Sequence, residues 1–179
     1  LALLGCFYGI VADQAESMFE DNPEMADYMA MLGSGSITDS FLATSVLMMA
    51  LITAGYAVAA VLRMRTEEVA SRADVILTTP TSRSRWMTGH LLVVGGGATI
   101  VMSAAGAAIG AGFASVTGDV GQIPRMLAAA WVTVPAILVV AGIAAALYGL
   151  LPKWSIAAWS LVVFVAVAGL LQGVLDLPQ

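Results

Sequence analysis

Four long apolar stretches divide the chain: residues 41–62, 86–116, 125–151 and 154–175. At 1.5 Å per residue in a helix, each can cross the roughly 30 Å hydrocarbon core of a bilayer. A fifth stretch, residues 1–12 ("LALLGCFYGIVA"), is too short to span alone and reads as the end of a preceding span. A lipid-embedded backbone must satisfy its own hydrogen bonds, so the pattern predicts an all-α polytopic membrane protein, a helical bundle of five spans with one incomplete. Pro135 falls inside 125–151, where lipid-embedded helices tolerate it and a kink is expected. Both chain ends are expected to be cuts within a larger membrane protein.

Polar intervals separate the stretches. Within 13–40, Asn22 and Pro23 form an N-cap and first helical position, and Gly33 suits a helix stop. Met25, Tyr28, Met29 and Leu32 between them share one face, predicting a short amphipathic helix on the membrane surface or over the spans. The "GSGS" at 33–36 is its flexible exit. Residues 63–85 carry a second expected helix, with Thr66 as N-cap and Glu67 and Glu68 near its positive end. Val69, Ala73, Ile76 and Leu77 give it an apolar face, and Glu68 and Arg72 form an i,i+4 pair. Pro80 breaks it, Thr81 or Ser82 caps the next helix, and Trp86 anchors that helix at the interface.

Composition removes the soluble alternative: 60% of residues are hydrophobic and 11% charged, with a mean hydropathy of +0.92. Charge then orients the spans. Residues 13–39 hold seven acids (Asp13, Glu16, Glu20, Asp21, Glu24, Asp27, Asp39) and no Lys or Arg. Residues 63–85 hold five arginines (Arg63, Arg65, Arg72, Arg83, Arg85) against three acids. The positive-inside rule makes 63–85 cytoplasmic and 13–40 extracellular. Alternation puts 117–124 outside, Lys153 inside and Asp176 outside. Arg125 alone opposes the rule, at a span end where its side chain can snorkel.

Candidate chemistry is sparse. The single Cys6 can form no intrachain disulfide and reads as a small apolar residue. Met18, Met25, Met29 and Met31 could hold a soft metal, but no His or Cys joins them and packing is favoured. "GGG" at 95–97 lies inside a span with no lysine after it, and no P-loop pattern occurs, so no nucleotide is hydrolysed by that route. The G-x-x-x-G pairs Gly5/Gly9, Gly106/Gly110 and Gly169/Gly173 permit close helix approach, a weak signal in a chain with 18 glycines. His90, the only histidine, reads as a snorkelling or hydrogen-bonding residue before a titrating one. No Asp, Glu, Lys or Arg lies in the interior of any span; His90 and Gln172 are the strongly polar groups nearest these cores. Proton-driven transport and intramembrane hydrolysis need such groups at depth, so both are disfavoured; if the segment belongs to a transporter, its energy enters from elsewhere.

For the arginine-rich interval two readings stand level. It lies on the inner leaflet with its arginines at anionic headgroups, or it docks a cytoplasmic partner. The stretch "RTEEVASRADVILTTPTSRSRWMTGHL" resembles the cytoplasmic connection of ABC-2 type exporter permeases, closest to the actinobacterial polyketide-antibiotic and multidrug exporter group. Glu67, Glu68, Arg72, Ala73, Leu77, Pro80, Ser82 and Arg83 match that group's pattern; Ser71 replaces its glycine and Asp74 its glutamate. "PAILVVAGIAAALYGLLPKW" and "GVLDLPQ" are similar to the later spans of the same permeases.

The resemblance implies most of one six-span half of a roughly twelve-span permease, with no catalytic or metal site and no cofactor of its own. It implies a separate ATP-binding-cassette subunit, expected as a dimer, carrying ATP and Mg. That subunit would meet an interface including Glu67, Glu68, Arg72, Asp74, Pro80, Ser82 and Arg83. Residues 1–12, 41–62 and 154–175 would face the opposite half and line the path. The expected partners are that subunit, the rest of the permease, the bilayer and a hydrophobic small molecule, an antibiotic or drug moved outward, with no nucleic acid. Export of a lipid or cell-envelope precursor is the alternative. A membrane sensor or scaffold that binds a partner through 63–85 is a further one.

Overall fold

The computed structural model describes residues 1–20, 37–69, 83–150 and 152–175. They form five helices: α1 (Ala2–Glu20), α2 (Ile37–Val69), α3 (Arg83–Thr117), α4 (Gln122–Leu150) and α5 (Ala158–Leu175). A 3-10 segment, Pro152–Ala157, leads into α5. The described residues contain no strand, and the protein is an all-α polytopic membrane domain. Three helical stretches are long and apolar enough to cross a bilayer, Thr38–Met64, Arg85–Thr117 and Gln122–Leu150. Ala2–Ala12 and Ser155–Gly169 are shorter apolar helices.

Helix ends depart from the sequence expectation in three places. α1 continues past Ala12 to Glu20, because Gln14, Ala15, Glu16 and Met18 are good helix formers. α2 runs unbroken through Thr66 to Val69, so Thr66 is not the N-cap of a new helix. Nothing between Arg63 and Glu68 interrupts the ladder, and an existing helix propagates more easily than a new one nucleates. The last apolar stretch opens as a 3-10 turn over Pro152–Ala157. Proline cannot donate to the ladder, and it pushes its predecessor out of the α region. The expected helix over 23–32 and the second half of the arginine-rich interval, 70–82, lie outside the described residues.

Contacting residues fix the directions. Tyr56 leans on Gly97 and Thr53 on Met102, so α2 and α3 are antiparallel. Gly5 lies against Ala105 and Gly9 against Phe113, so α1 and α3 are parallel. Gly106 meets Ala130 and Gly110 meets Ile123, so α3 and α4 are antiparallel. The α3–α4 hairpin turns at Gly118, whose φ of 75° is the left-handed helix cap that a side chain resists. Asp119 Oδ1 then accepts from the Gly121 amide at 2.9 Å, at the start of α4. The starts of α2 and α4 and the end of α3 therefore share one end of the bundle. Val69, Arg83 and Leu150 share the other.

The core is a run of small and medium side chains at three- and four-residue spacings: Leu42, Val46, Met49 and Thr53 on α2, and Val94, Ala98, Met102, Ala105 and Ile109 on α3. Lipid is as apolar as these residues, so close packing rather than water exclusion joins the helices. The closest packing is at glycines. A Cβ on Gly9 would sit 2.7 Å from the Phe113 backbone nitrogen, and one on Gly110 would sit 2.6 Å from Ile123 Cα. Gly112 meets the Cys6 backbone, with Cys6 Cα 3.1 Å from its Cβ position. α3 thus touches the backbones of α1 and α4 at once. The pairs Gly5/Gly9 and Gly106/Gly110 act here, whereas a Cβ on Gly169 meets nothing within 4 Å.

Gly9→Val and Gly110→Val in this protein are expected to lower stability by about 1–3 kcal/mol each, as overpacking does. Gly142→Val, at a position with open space around it, leaves the melting temperature in detergent nearly unchanged. Equal melting of all three variants would refute the backbone-contact account.

Candidate functional site: an apolar groove at mid-membrane depth

Between α2, α4 and α5 lies a groove of about 540 Å³. Leu47, Ala50, Leu51 and Ala54 form the α2 wall, and Leu161 and Val165 close it from α5. The α4 wall runs from Val132 to Ile143 through Thr133, Ala136, Ile137, Val139 and Val140. The groove exists because Ala50, Ala54 and Ala136 are too small to fill the space between helices held apart by larger neighbours. Its volume falls in the range of about 300–1,000 Å³ typical of pockets for drug-sized ligands.

Thr133 is the one lining residue with a polar side chain. Its hydroxyl donates to the Ala130 carbonyl oxygen at 2.7 Å, inside its own helix. The groove therefore presents hydrocarbon alone, and suits an uncharged, hydrogen-bond-poor guest; a charged group entering it would go unpaired. Its position agrees with that chemistry, since the lining residues sit near the middle of α2 and α4. Val132 and Val139 are exposed on its outer lip.

Specific polar ties hold the walls. Trp131 Nε1 donates to Ser103 Oγ at 2.9 Å, and that hydroxyl donates to the Thr99 carbonyl at 2.8 Å. The Trp131 tie lies one turn before Pro135, where α4 lacks a backbone donor, and so binds the weakened turn to α3. Thr53 Oγ1 contacts Met102 Sδ at 3.4 Å between α2 and α3. At one end of the walls Arg125 Nη2 pairs with Asp39 Oδ1 at 3.0 Å. Arg125 was the residue that opposed the charge rule, and the structure gives it an acidic partner on α2. Both side chains are about half exposed, and such a pair contributes roughly 0–1 kcal/mol.

The "GGG" at 95–97 is a packing surface for side chains. Leu138 and Tyr56 lie 3.2 and 3.1 Å from the Cβ positions of Gly95 and Gly97. His90 is half-buried and stands against Trp86, ring centroids 5.8 Å apart. Of the sequence-predicted interface residues, Glu67 and Glu68 fall in the last turn of α2, and Arg83 opens α3. Those two helix ends lie at the same end of the bundle. Arg72, Asp74, Pro80 and Ser82 lie outside the described residues. Sequence reasoning missed the groove, whose signal was only the small residues Ala50, Ala54 and Ala136 among larger ones.

The family model for the multidrug efflux system permease Rv1217c, C-terminal domain, matches residues 1–179. The chain belongs to this family. It is 29% identical over 181 residues to the multidrug efflux system permease protein Rv1217c of Mycobacterium tuberculosis (strain ATCC 25618 / H37Rv). That similarity covers 100% of this chain and 33% of the relative, so the chain spans about a third of that protein's length. The domain thus places an uncharged groove between α2, α4 and α5.

Ala136→Phe is expected to fill the groove and weaken binding of an uncharged lipophilic dye by the protein several-fold. Thr133→Val leaves that binding unchanged, because the hydroxyl is already spent within α4. Fluorescence titration of the two variants checks both, and a larger loss from Thr133→Val would place the ligand's contacts elsewhere.

Proposed function

We propose that this domain is part of the membrane-spanning subunit of an ATP-driven ABC-2 type exporter that moves a hydrophobic antibiotic or drug out of a bacterial cell. Membership of the multidrug efflux permease family along the whole chain carries this reading. The apolar groove supports the substrate class, since it offers volume and hydrocarbon contact without a charge to be matched. The spans lack ionisable groups at depth, so drive from a separate ATPase subunit fits better than proton coupling.

In this reading residues 63–85 face the cytoplasm and receive the ATPase subunit. Glu67 and Glu68, continuous with α2, and Arg83, continuous with α3, connect its movement directly to two spans. A rigid helix transmits such a movement over its length, and α2 runs from that end past the groove wall. The wholly apolar lining accommodates a lipid chain as readily as a drug, which gives export of a lipid or envelope precursor as the second reading.

Glu67→Lys with Glu68→Lys is expected to abolish most ATP-dependent efflux, or to release the ATPase subunit during purification, while insertion stays normal. Unaltered efflux together with intact assembly would remove the coupling role. Drug-susceptibility profiles and lipid analysis of cells with and without the permease separate the two substrate classes.

A further inference from the structure

The groove is open at the end nearest the starts of α2 and α4. Leu47 and Val132, its first lining residues on those helices, are 55% and 79% exposed. A strip of small side chains continues from there toward the helix starts. On α4, Ala129 and Arg125 precede Val132 by one and two turns on the same stripe, Ala129 half-buried and Arg125 exposed. On α2, the exposed Ala43 and then Asp39 precede Leu47 by one and two turns. Arg125 Nη2 meets Asp39 Oδ1 at 3.0 Å, so the two stripes come together again at the far end of the strip.

The lengths match one leaflet of a bilayer. Along α4, Val132 lies about 10 Å beyond Arg125 and Ala136 about 16 Å, at 1.5 Å per residue. Along α2, Ala50 is likewise about 16 Å beyond Asp39. The chains of one leaflet occupy about 15 Å, half of the hydrocarbon core. An acyl chain whose head stays at the ion pair therefore ends between Ala50 and Ala136, two of the alanines that leave the groove its room. Asp39 and Arg125 stand at the very start of the membrane-length stretches Thr38–Met64 and Gln122–Leu150. Ionised groups are costly deeper in hydrocarbon, which sets the pair at headgroup depth.

The charges at that end select a kind of head. A guanidinium has five N–H donors, and that of Arg125 gives Nη2 to Asp39 and Nη1 to Gln122 Oε1 at 3.3 Å. Its remaining donors suit a phosphodiester, which guanidinium grips through parallel bonds. The Asp39 carboxylate beside it is 41% exposed and attracts a cation. Asp119, exposed and bonded through Oδ2 to Gln122 Nε2 at 2.9 Å, adds a second negative charge to the same cluster. A net-negative head meets two carboxylates against one guanidinium. A zwitterionic head, phosphate with ammonium, finds a partner for each of its charges.

We propose that a zwitterionic phospholipid of the surrounding bilayer occupies this open end of the groove. Its phosphate lies on Arg125 and its ammonium beside Asp39, and one acyl chain runs past Ala43 and Ala129 to Ala50 and Ala136. The ion pair stays formed, because the phosphate uses donors that the pair leaves over. Lipid binding needs no transport, so the site does not rest on the efflux reading above. A lipophilic guest that enters the groove displaces the end of that chain.

The test measures retention of radiolabelled phosphatidylethanolamine, and of phosphatidylglycerol with the same chains, by the protein held on resin in detergent. The unaltered protein is expected to hold phosphatidylethanolamine more tightly by up to about fivefold, as half-exposed charge contacts allow. Asp39→Asn moves the ratio toward phosphatidylglycerol, since the carboxylate that holds the ammonium is gone. Arg125→Gln weakens both lipids. Ala136→Phe weakens both and keeps their ratio, because it meets the chain and not the head. Gly142→Val, which does not line the groove, changes neither. Equal retention of the two lipids by the unaltered protein overturns the site, leaving annular contact only. So does a ratio that Asp39→Asn does not move, or full retention in Ala136→Phe. Where Arg125→Gln fails to fold, the Asp39→Asn ratio decides. Lipid retention that passes these checks, in a protein whose loss leaves drug susceptibility unchanged, would remove the efflux reading alone.

Discussion

α3 touches two other backbones, and the arrangement of the bundle follows from that double contact. On one face Gly5 and Gly9 of α1 bring it against Ala105, Gly112 and Phe113; on the other Gly106 and Gly110 admit the first turns of α4. Without a hydrophobic drive between helices in lipid, close approach is the main source of attraction, and only residues without side chains permit it. Three helices are thereby fixed in register. α2 adds buried side chains to them, among them Leu42, Met49, Val58 and Val61.

The groove is what remains where that second kind of packing is incomplete. α2 and α4 run in the same direction with Ala50, Ala54 and Ala136 facing each other's neighbourhood, and α5 arrives only after the 3-10 turn at Pro152–Ala157. Alanines that would collapse a water-soluble core leave open volume here, because lipid or a guest molecule can fill it without loss. The same absence of ionisable groups that keeps the spans stable in hydrocarbon makes the groove indifferent to charge pairing. Stability in the membrane and a preference for apolar guests thus have one cause. The polar exception, Asp39 with Arg125, lies at the helix starts beyond the lining, where both side chains are about half exposed.

The division between what was readable and what was not follows the range of the forces involved. The all-α class and the three long apolar helices rest on local or additive properties. Twenty apolar residues in a row are enough to predict a helix in lipid, whatever surrounds them. Helix ends were read less well where a chain could simply continue: Thr66 has a capping side chain, yet α2 passes through it because propagation outweighs a cap. Gly5/Gly9 and Gly169/Gly173 share one spacing, but the first pair is clasped to α3 and Gly169 stands free. Arg125 looked anomalous in the linear count of charges, and Asp39, 86 positions away, resolves it.

The sequence by itself therefore determined that this is a multi-helix membrane domain, which intervals are polar, and that its spans carry no ionisable machinery. These depend on residue type and on periods of a few residues. The tertiary structure alone decided which glycines touch a backbone, which alanines border an opening and which arginine finds an acid. Each of those requires two distant segments to meet, and neither composition nor spacing along one helix contains the partner's position.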